Sequence, residues 1–203
     1  MLPIILSASL VFISTSIDYL MLFIVLFSKI ETSKEKREIY LGHYLGVGVI
    51  VLISLIGTQF LQLIPKTWII GLLGLVPIYQ GIRTAQGYIN DAEAEVDRIL
   101  SDRFPLWLDV FLVTVTLSGD NFGIFPVYFL QWTLKELLII FLIFILGIYL
   151  LCKISDSISK ISIIQKIIRK HERIIVALVL ISLGLYILWS NGTILHIYRS
   201  LIQ

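Results

Sequence analysis

The chain has 203 residues, 58% of them hydrophobic, with 16 Lys and Arg against 14 Asp and Glu and a formal net charge of +2. Soluble domains run nearer roughly 45–50% apolar, so the surplus has to face lipid, and a soluble globular fold is excluded. The single cysteine, Cys152, excludes an internal disulfide, a Cys-rich metal cage and a thiol–disulfide electron relay, and the small net charge gives no reason to expect a nucleic-acid partner.

Taken in chain order, six stretches are long and apolar enough to cross a hydrocarbon core about 30 Å thick. They are Leu2 to Ser28, Tyr40 to Leu63, Thr67 to Ala85, Leu106 to Leu130, Leu134 to Cys152 and Ile174 to Ser190. The first has no basic n-region and runs too long for the h-region of a signal peptide, so it reads as a span. The expected fold class is an all-α integral membrane protein, a single transmembrane domain over residues 1–203, with the bilayer as its first partner.

The connections between spans alternate in charge. With Arg83 and Lys135, at span ends, counted with the connections they border, those after spans one, three and five hold 13 of the 16 Lys and Arg, and the other connections and the termini hold 3. The basic side is expected to be cytoplasmic, which puts both termini outside it. Trp68, Trp107, Trp132 and Trp189 fall near predicted span ends, where indole suits the interface. The acidic stretch Asp91 to Asp97 reads as a solvated helix with Asn90 as N-cap, in preference to a cation-gathering mouth. Residues 153–170 carry Ile154, Ile158, Ile161, Ile164 and Ile168 at spacings of 4, 3, 3 and 4 among lysines and serines. That pattern predicts an amphipathic helix on the cytoplasmic surface.

Three acids fall inside predicted spans: Asp18, Asp109 and Asp120. Asp109 stands at a span end beside Trp107 and can reach the interface. Asp18 and Asp120 are near mid-span, where a charged side chain costs about 2.5–3.5 kcal/mol on insertion scales. Their surroundings match: "STSIDY" (14–19) and "TLSGDN" (116–121) each place hydroxyls before the acid and a polar residue after it. They open the first spans of two three-span halves, and three being odd, the second half enters from the opposite side. The expectation is therefore two inverted repeats, about 1–86 and 106–203, joined by an acidic linker of about 87–105, with a site at the midplane between them. Ser14 and Thr116 each precede their acid by four residues and share its helix face. Gly119, Gly123 and Pro126 can open the fourth span at depth, with Pro77 in the third a further candidate break. Carboxylate, amide and hydroxyl oxygens together suit a hard or borderline cation. Asp18, Asp120 and Asn121 are the expected ligands, supported by Ser14, Thr15, Thr116 and Ser118. His43 reads as a hydrogen-bonded structural residue, with a ligand or proton-carrier role as the alternative.

"FISTSIDYL", "YLGHYLG", "GLLGLVPIYQGI" and "SGDNFGIFPVYF", in that order and spacing, resemble the cadmium-resistance transporter family of the LysE superfamily. The resemblance runs nearly end to end. It implies a bacterial inner-membrane exporter of divalent cations, Cd2+ above all, built from two inverted three-helix halves, and it carries Asp18, Asp120 and Asn121 over as the cation site. Two departures stand out: Asp18 is followed by Tyr19 where relatives often carry a second aspartate, and His43 stands where they often carry glutamine. The expected function is divalent-metal export by proton antiport, with transported Cd2+ and H+ but no resident cofactor and no enzymatic activity. No nucleotide-binding Gly-x-x-x-x-Gly-Lys-Ser/Thr motif occurs. Amino-acid export is the nearest alternative, although no Lys or Arg lies deep in a span to meet a carboxylate. Two intramembrane aspartates also suggest an aspartyl protease, but Ile17 precedes Asp18 and Leu117 stands where that motif needs glycine. The oligomeric state is left open, a homodimer among the options.

The charge count makes a direct prediction. A cysteine introduced between Ile30 and Glu38 is expected to react with an impermeant thiol reagent only from the cytoplasmic face, and one near Gln203 only from the other. Reversed labelling would overturn the orientation.

Overall fold

The structure is a computed structural model; it describes residues 2–61, 63, 67–86, 92–100, 104–119, 121–161, 174, 177, 178 and 180–193. Its elements are helical, with no strand among the described residues. They are α1 (Leu2–Lys29), α2 (Ser33–Leu61), α3 (Thr67–Gly71), a 3-10 turn (Leu72–Gly74), α4 (Leu75–Ala85), α5 (Ala92–Ile99), α6 (Leu106–Leu117), α7 (Asn121–Phe129), α8 (Leu134–Ile158) and α9 (Leu180–Ser190). Ser33–Leu61, Trp68–Ala85 and Leu134–Ile158 are each long and apolar enough to cross a membrane. Two bent pairs, each taken as one span, bring the total to five. α9 is the described part of the sixth expected span and is shorter than a crossing.

Two boundaries differ from expectation for a local reason. α2 starts seven residues before Tyr40, inside the charged loop, because Thr32 and Glu35 cap it. The Glu35 carboxylate accepts from the Thr32 amide (2.8 Å) while Thr32 Oγ1 accepts from the Glu35 amide (3.2 Å), a capping box. α8 opens on the same device, Thr133 with Glu136. It runs on to Ile158, so the first residues of the expected amphipathic segment are the last turns of α8, and residues 162–170 lie outside the described residues. The acidic stretch forms a helix, α5, that is solvated on the face carrying Asp97 and Arg98 and packed on the other. Val96 and Ile99 are buried against α1 and α6, and Asn90 lies outside the described residues.

Neither expected span one nor span four is straight. Leu2–Ser16 and Tyr19–Lys29 are bent by 60°, and Leu106–Leu117 and Asn121–Phe129 by 75°. The segment after each bend is the most enclosed part of the molecule: Met21 to Phe27 are all buried, and so are Ile124 to Phe129. Each seeds a separate apolar cluster. Tyr19 to Ile30 gather Ile39, Val110, Val113 and Cys152. Ile124 to Phe129 gather Ile4, Ala8, Val11, Phe12, Leu137, Ile140, Phe144 and Ile148.

Helices pack where small residues let backbones close in. α2 lies along α6 and α7, and α1 along α8. A methyl on Gly46 would stand 2.6 Å from Thr114 Cβ, and one on Gly147 2.6 Å from the Phe12 ring. Between α4 and α9 the contact is mutual: a methyl on Gly74 or on Gly184 would land on the other's carbonyl oxygen. Such small-residue crossings are how helices approach in a medium as apolar as leucine.

The three basic connections meet at one end. Lys29 at the end of α1 pairs with Asp97 of α5 at 2.5 Å, and Lys36 of α2 pairs with Asp156 of α8 at 2.7 Å. The other end joins Ser7 to Tyr128 (2.9 Å) and Thr193 to the Trp68 carbonyl (2.8 Å). The alternation read from charge is thus matched by the packing.

Gly46→Ala is expected to destabilise by about 1–3 kcal/mol, the usual cost of overpacking. Gly48→Ala, whose added methyl meets nothing within 4 Å, should be neutral or stabilising by up to about 1 kcal/mol. Thermal unfolding in detergent checks the pair, and equal effects would contradict the tight α2–α6 contact.

Candidate functional site

Asp18 falls in sequence between the two segments of α1, and Asp120 between α6 and α7. The side chain of Asp18 and the whole of Asp120 lie outside the described residues. The residues beside them connect the two bends. Tyr19, the first residue after the bend in α1, has its hydroxyl 3.0 Å from the Thr114 carbonyl oxygen and hydrogen-bonded to Ser118 Oγ. Ser118 Oγ is in turn 2.6 Å from the same carbonyl. Two hydroxyl protons are shared among three oxygens, and the neighbour of Asp18 is tied to the residue two before Asp120.

His43 of α2 completes this group. It is fully buried, its ring centroid 4.9 Å from that of Tyr19 and 4.7 Å from that of Phe23. Nδ1 is 3.1 Å from Thr114 Oγ1, and Nε2 has no hydrogen-bond partner among the described residues. Thr114 therefore serves both neighbours, its hydroxyl toward His43 and its carbonyl toward Tyr19 and Ser118. Gly46, one turn along α2 from His43, is what lets Thr114 come this close.

The other candidates divide by burial. Thr15, Ser118 and Asn121 are buried, and so is Ser16, which the sequence does not single out. Asn121 is the first residue of α7, and its amide donates to the Ser118 carbonyl at 2.9 Å. Ser14 and Thr116 are more open, and each hydroxyl donates to the carbonyl four residues earlier, Leu10 at 2.6 Å and Leu112 at 2.8 Å. Gly119 sits in the turn after α6, whereas Gly123 and Pro126 lie within α7. Pro77 lies in the first turn of α4, directly after the 3-10 turn Leu72–Gly74. Asp109 is part-buried near the start of α6, its Oδ2 without a hydrogen-bond partner among the described residues.

Thr15, Ser16, His43, Thr114, Ser118 and Asn121 thus supply buried polar groups close to the two bends. Hydroxyl and amide oxygens of this kind could complete a shell around a hard or borderline cation, with the charge left to the carboxylates. Among the described residues no group of three or more His, Cys, Asp or Glu gathers. Ser16 and Thr114 are the contributors that sequence reasoning missed, and the sequence leaves open whether Tyr19 joins them. Tyr19 was legible only as the polar residue after Asp18, and Thr114 carried no signal until its neighbours were known.

A family model described as cadmium resistance transporter matches residues 12–200. No curated protein and no solved structure matches the chain.

Thr114→Val keeps the shape but strips the hydroxyl from a buried imidazole. Leaving Nδ1 unsatisfied should cost about 1–3 kcal/mol, while Thr114→Ser should lose clearly less. Thermal unfolding of the two variants decides, and a Val variant as stable as the parent would show that the hydroxyl does not hold His43.

Proposed function

The chain belongs to the cadmium resistance transporter family and is a multi-pass membrane protein, and on that premise we propose that it exports a divalent cation, Cd2+ first, in exchange for protons. In this reading Asp18 and Asp120 face each other near mid-membrane and alternate between one metal ion and two protons. Asn121 and the hydroxyls of Ser14, Thr15, Thr116 and Ser118 fill out the oxygen shell. The basic end faces the cytoplasm of a bacterial cell, the membrane is the inner one, and both termini are extracytoplasmic.

The observation that carries the proposal is the pair of bends, 60° and 75°, at corresponding positions beside the two mid-span aspartates. The surrounding chain keeps the same register twice. Asp18, Phe23, Phe27, Thr32, Glu35 and Gly46 correspond in order and, within one residue, in spacing to Asp120, Phe125, Phe129, Thr133, Glu136 and Gly147. The packing exchanges in the same way: α1 lies on α8 as α6 and α7 lie on α2, and the α4–α9 contact maps onto itself. These relations support two inverted three-helix repeats, with the site where their broken helices meet.

The energetics favour exchange. Moving a dication out of a negative interior costs about 2.3 kcal/mol per charge per 100 mV. One M2+ out for two H+ in moves no net charge, so that cost vanishes and the pH gradient alone drives the cycle. Burial favours the protonated carboxyls and bound metal the ionised ones, so one site holds either cargo.

Asp18→Asn and Asp120→Asn are each expected to reduce Cd2+ transport in vesicles with an imposed pH gradient to background while the protein still folds, since an amide is cheaper to bury than a carboxylate. Undiminished transport by either variant would remove the site, and indifference to the gradient would remove the proton coupling. Tolerance of expressing cells to Cd2+, Zn2+, Mn2+ and Ca2+ ranks the metals.

A further inference from the structure

The two repeats keep one register but fill it with different chemistry at the same place. Thr114 stands six residues before Asp120, and Phe12 six before Asp18. His43 and Phe144 each stand eleven residues after the capping threonine of their helix. Where His43 of the first half meets Thr114 of the second, these positions form a polar pair, Nδ1 at 3.1 Å from Oγ1, reinforced by the Tyr19–Ser118 hydrogen bond. Where Phe12 of the first half meets Phe144 of the second, they form a ring contact at 5.5 Å between centroids. Phe125 and Phe129 add centroid distances of 5.3 and 6.3 Å to Phe144. Phe125 and Phe129 correspond to Phe23 and Phe27, so the aromatic frame is shared and the polar substitution is confined to one of the two crossings between the halves. The polar set stands with the cluster that includes Ile30 and Ile39, toward the basic connections, and the aromatic set toward the opposite end. The side chains of both sets are buried.

We propose that these two sets are the two gates of the transport path, both closed in this structure: Tyr19, His43, Thr114 and Ser118 toward the basic end, and the phenylalanine cluster toward the other. The inference rests on the inverted-repeat reading above and adds an asymmetry to it. Opening a gate wets the surfaces that were in contact. Hydroxyl and imidazole groups exchange one hydrogen-bond partner for water at little net cost, whereas parted phenylalanine rings lose the whole benefit of their burial. The polar gate therefore opens more often, and in the proposed orientation the site is hydrated first from the side where the cargo waits. The polar gate is closed by bonds that cross between the halves, from Tyr19 and His43 of one to Thr114 and Ser118 of the other. It is therefore broken by any rocking of one half against the other, and α4 against α9 at Gly74 and Gly184 is where such rocking would pivot.

The test is access to one thiol placed between the gates. Cys152→Ala removes the native thiol, and Thr15→Cys sets a probe in the last turn before the bend of α1, where Thr15 is buried. An impermeant thiol reagent is then applied to vesicles from either face. Tyr19→Phe should speed labelling from the basic face by roughly threefold to tenfold, the effect of one net hydrogen bond on a two-state population, and leave the opposite face unchanged. His43→Phe paired with Thr114→Phe, which copies the aromatic gate, should slow labelling from the basic face. Should that double variant fail to fold, the Tyr19→Phe result decides alone. Labelling that Tyr19→Phe leaves unchanged, or speeds equally from both faces, overturns the gate. The labelling needs no metal, so Cd2+ transport is measured separately on the unaltered protein: face-specific labelling of the probe with no Cd2+ transport by the parent would overturn the transport reading and leave the gate standing, and Cd2+ transport by the parent with face-indifferent labelling would do the reverse.

Discussion

Lipid offers no hydrogen bond to a peptide group, so a helix can be interrupted at membrane depth only where protein encloses the freed amides and carbonyls. The architecture follows from that constraint. The segments after the two bends, Tyr19–Lys29 and Asn121–Phe129, are the most enclosed helices in the molecule, and the long helices lie where they can cover the bends. α2 runs along both α6 and α7, spanning the second interruption, and α8 runs along α1 across the first. Gly46 and Gly147 let each of them come close enough to do so. At the second interruption the freed groups are met locally: the Thr114 carbonyl takes Tyr19 and Ser118, and the Ser118 carbonyl takes the Asn121 amide.

The two ends of the bundle are held together by different chemistry. Side chains on the basic side can end in ion pairs such as Lys29–Asp97 and Lys36–Asp156, which tie three connections together. These pairs are part-exposed and contribute little stability singly; what they establish is that α1, α2, α5 and α8 present those ends to a common aqueous face. The opposite end is joined by neutral contacts, Ser7 with Tyr128 and Thr193 with Trp68.

The sequence was most legible where length and charge alone decide. The long apolar stretches and the alternation of basic connections needed only the bilayer's thickness and the insertion bias of Lys and Arg. The interruption in the fourth span was legible from Gly119 and its neighbours, although the helix resumes at Asn121 and continues through Pro126. The bend in α1 was not, since Ile17 and Asp18 include no glycine or proline. Charge misled in two places. KEKRE reads as loop but is the capped first turns of α2, and the acidic run reads as solvated although Val96 and Ile99, three apart, give it a buried face. The polar cluster around Thr114 was invisible for a different reason. It joins α1, α2 and α6 across long separations, and a hydroxyl among apolar residues has no periodicity to announce its partner.

Cadmium is a thiophilic ion, and soft thiolates are the ligands it holds longest. The one thiol in this protein, Cys152, has no exposed surface and packs in the cluster around Tyr19 to Ile30, near the end of α8. If Cd2+ is the cargo, as proposed above, that buried position keeps the thiol out of its reach. An accessible sulfur beside the route would capture the ion and stall the carrier as the toxic load rose. A site composed of oxygen donors, by contrast, would release what it binds, so such a protein would resist poisoning under the conditions in which the cell needs it.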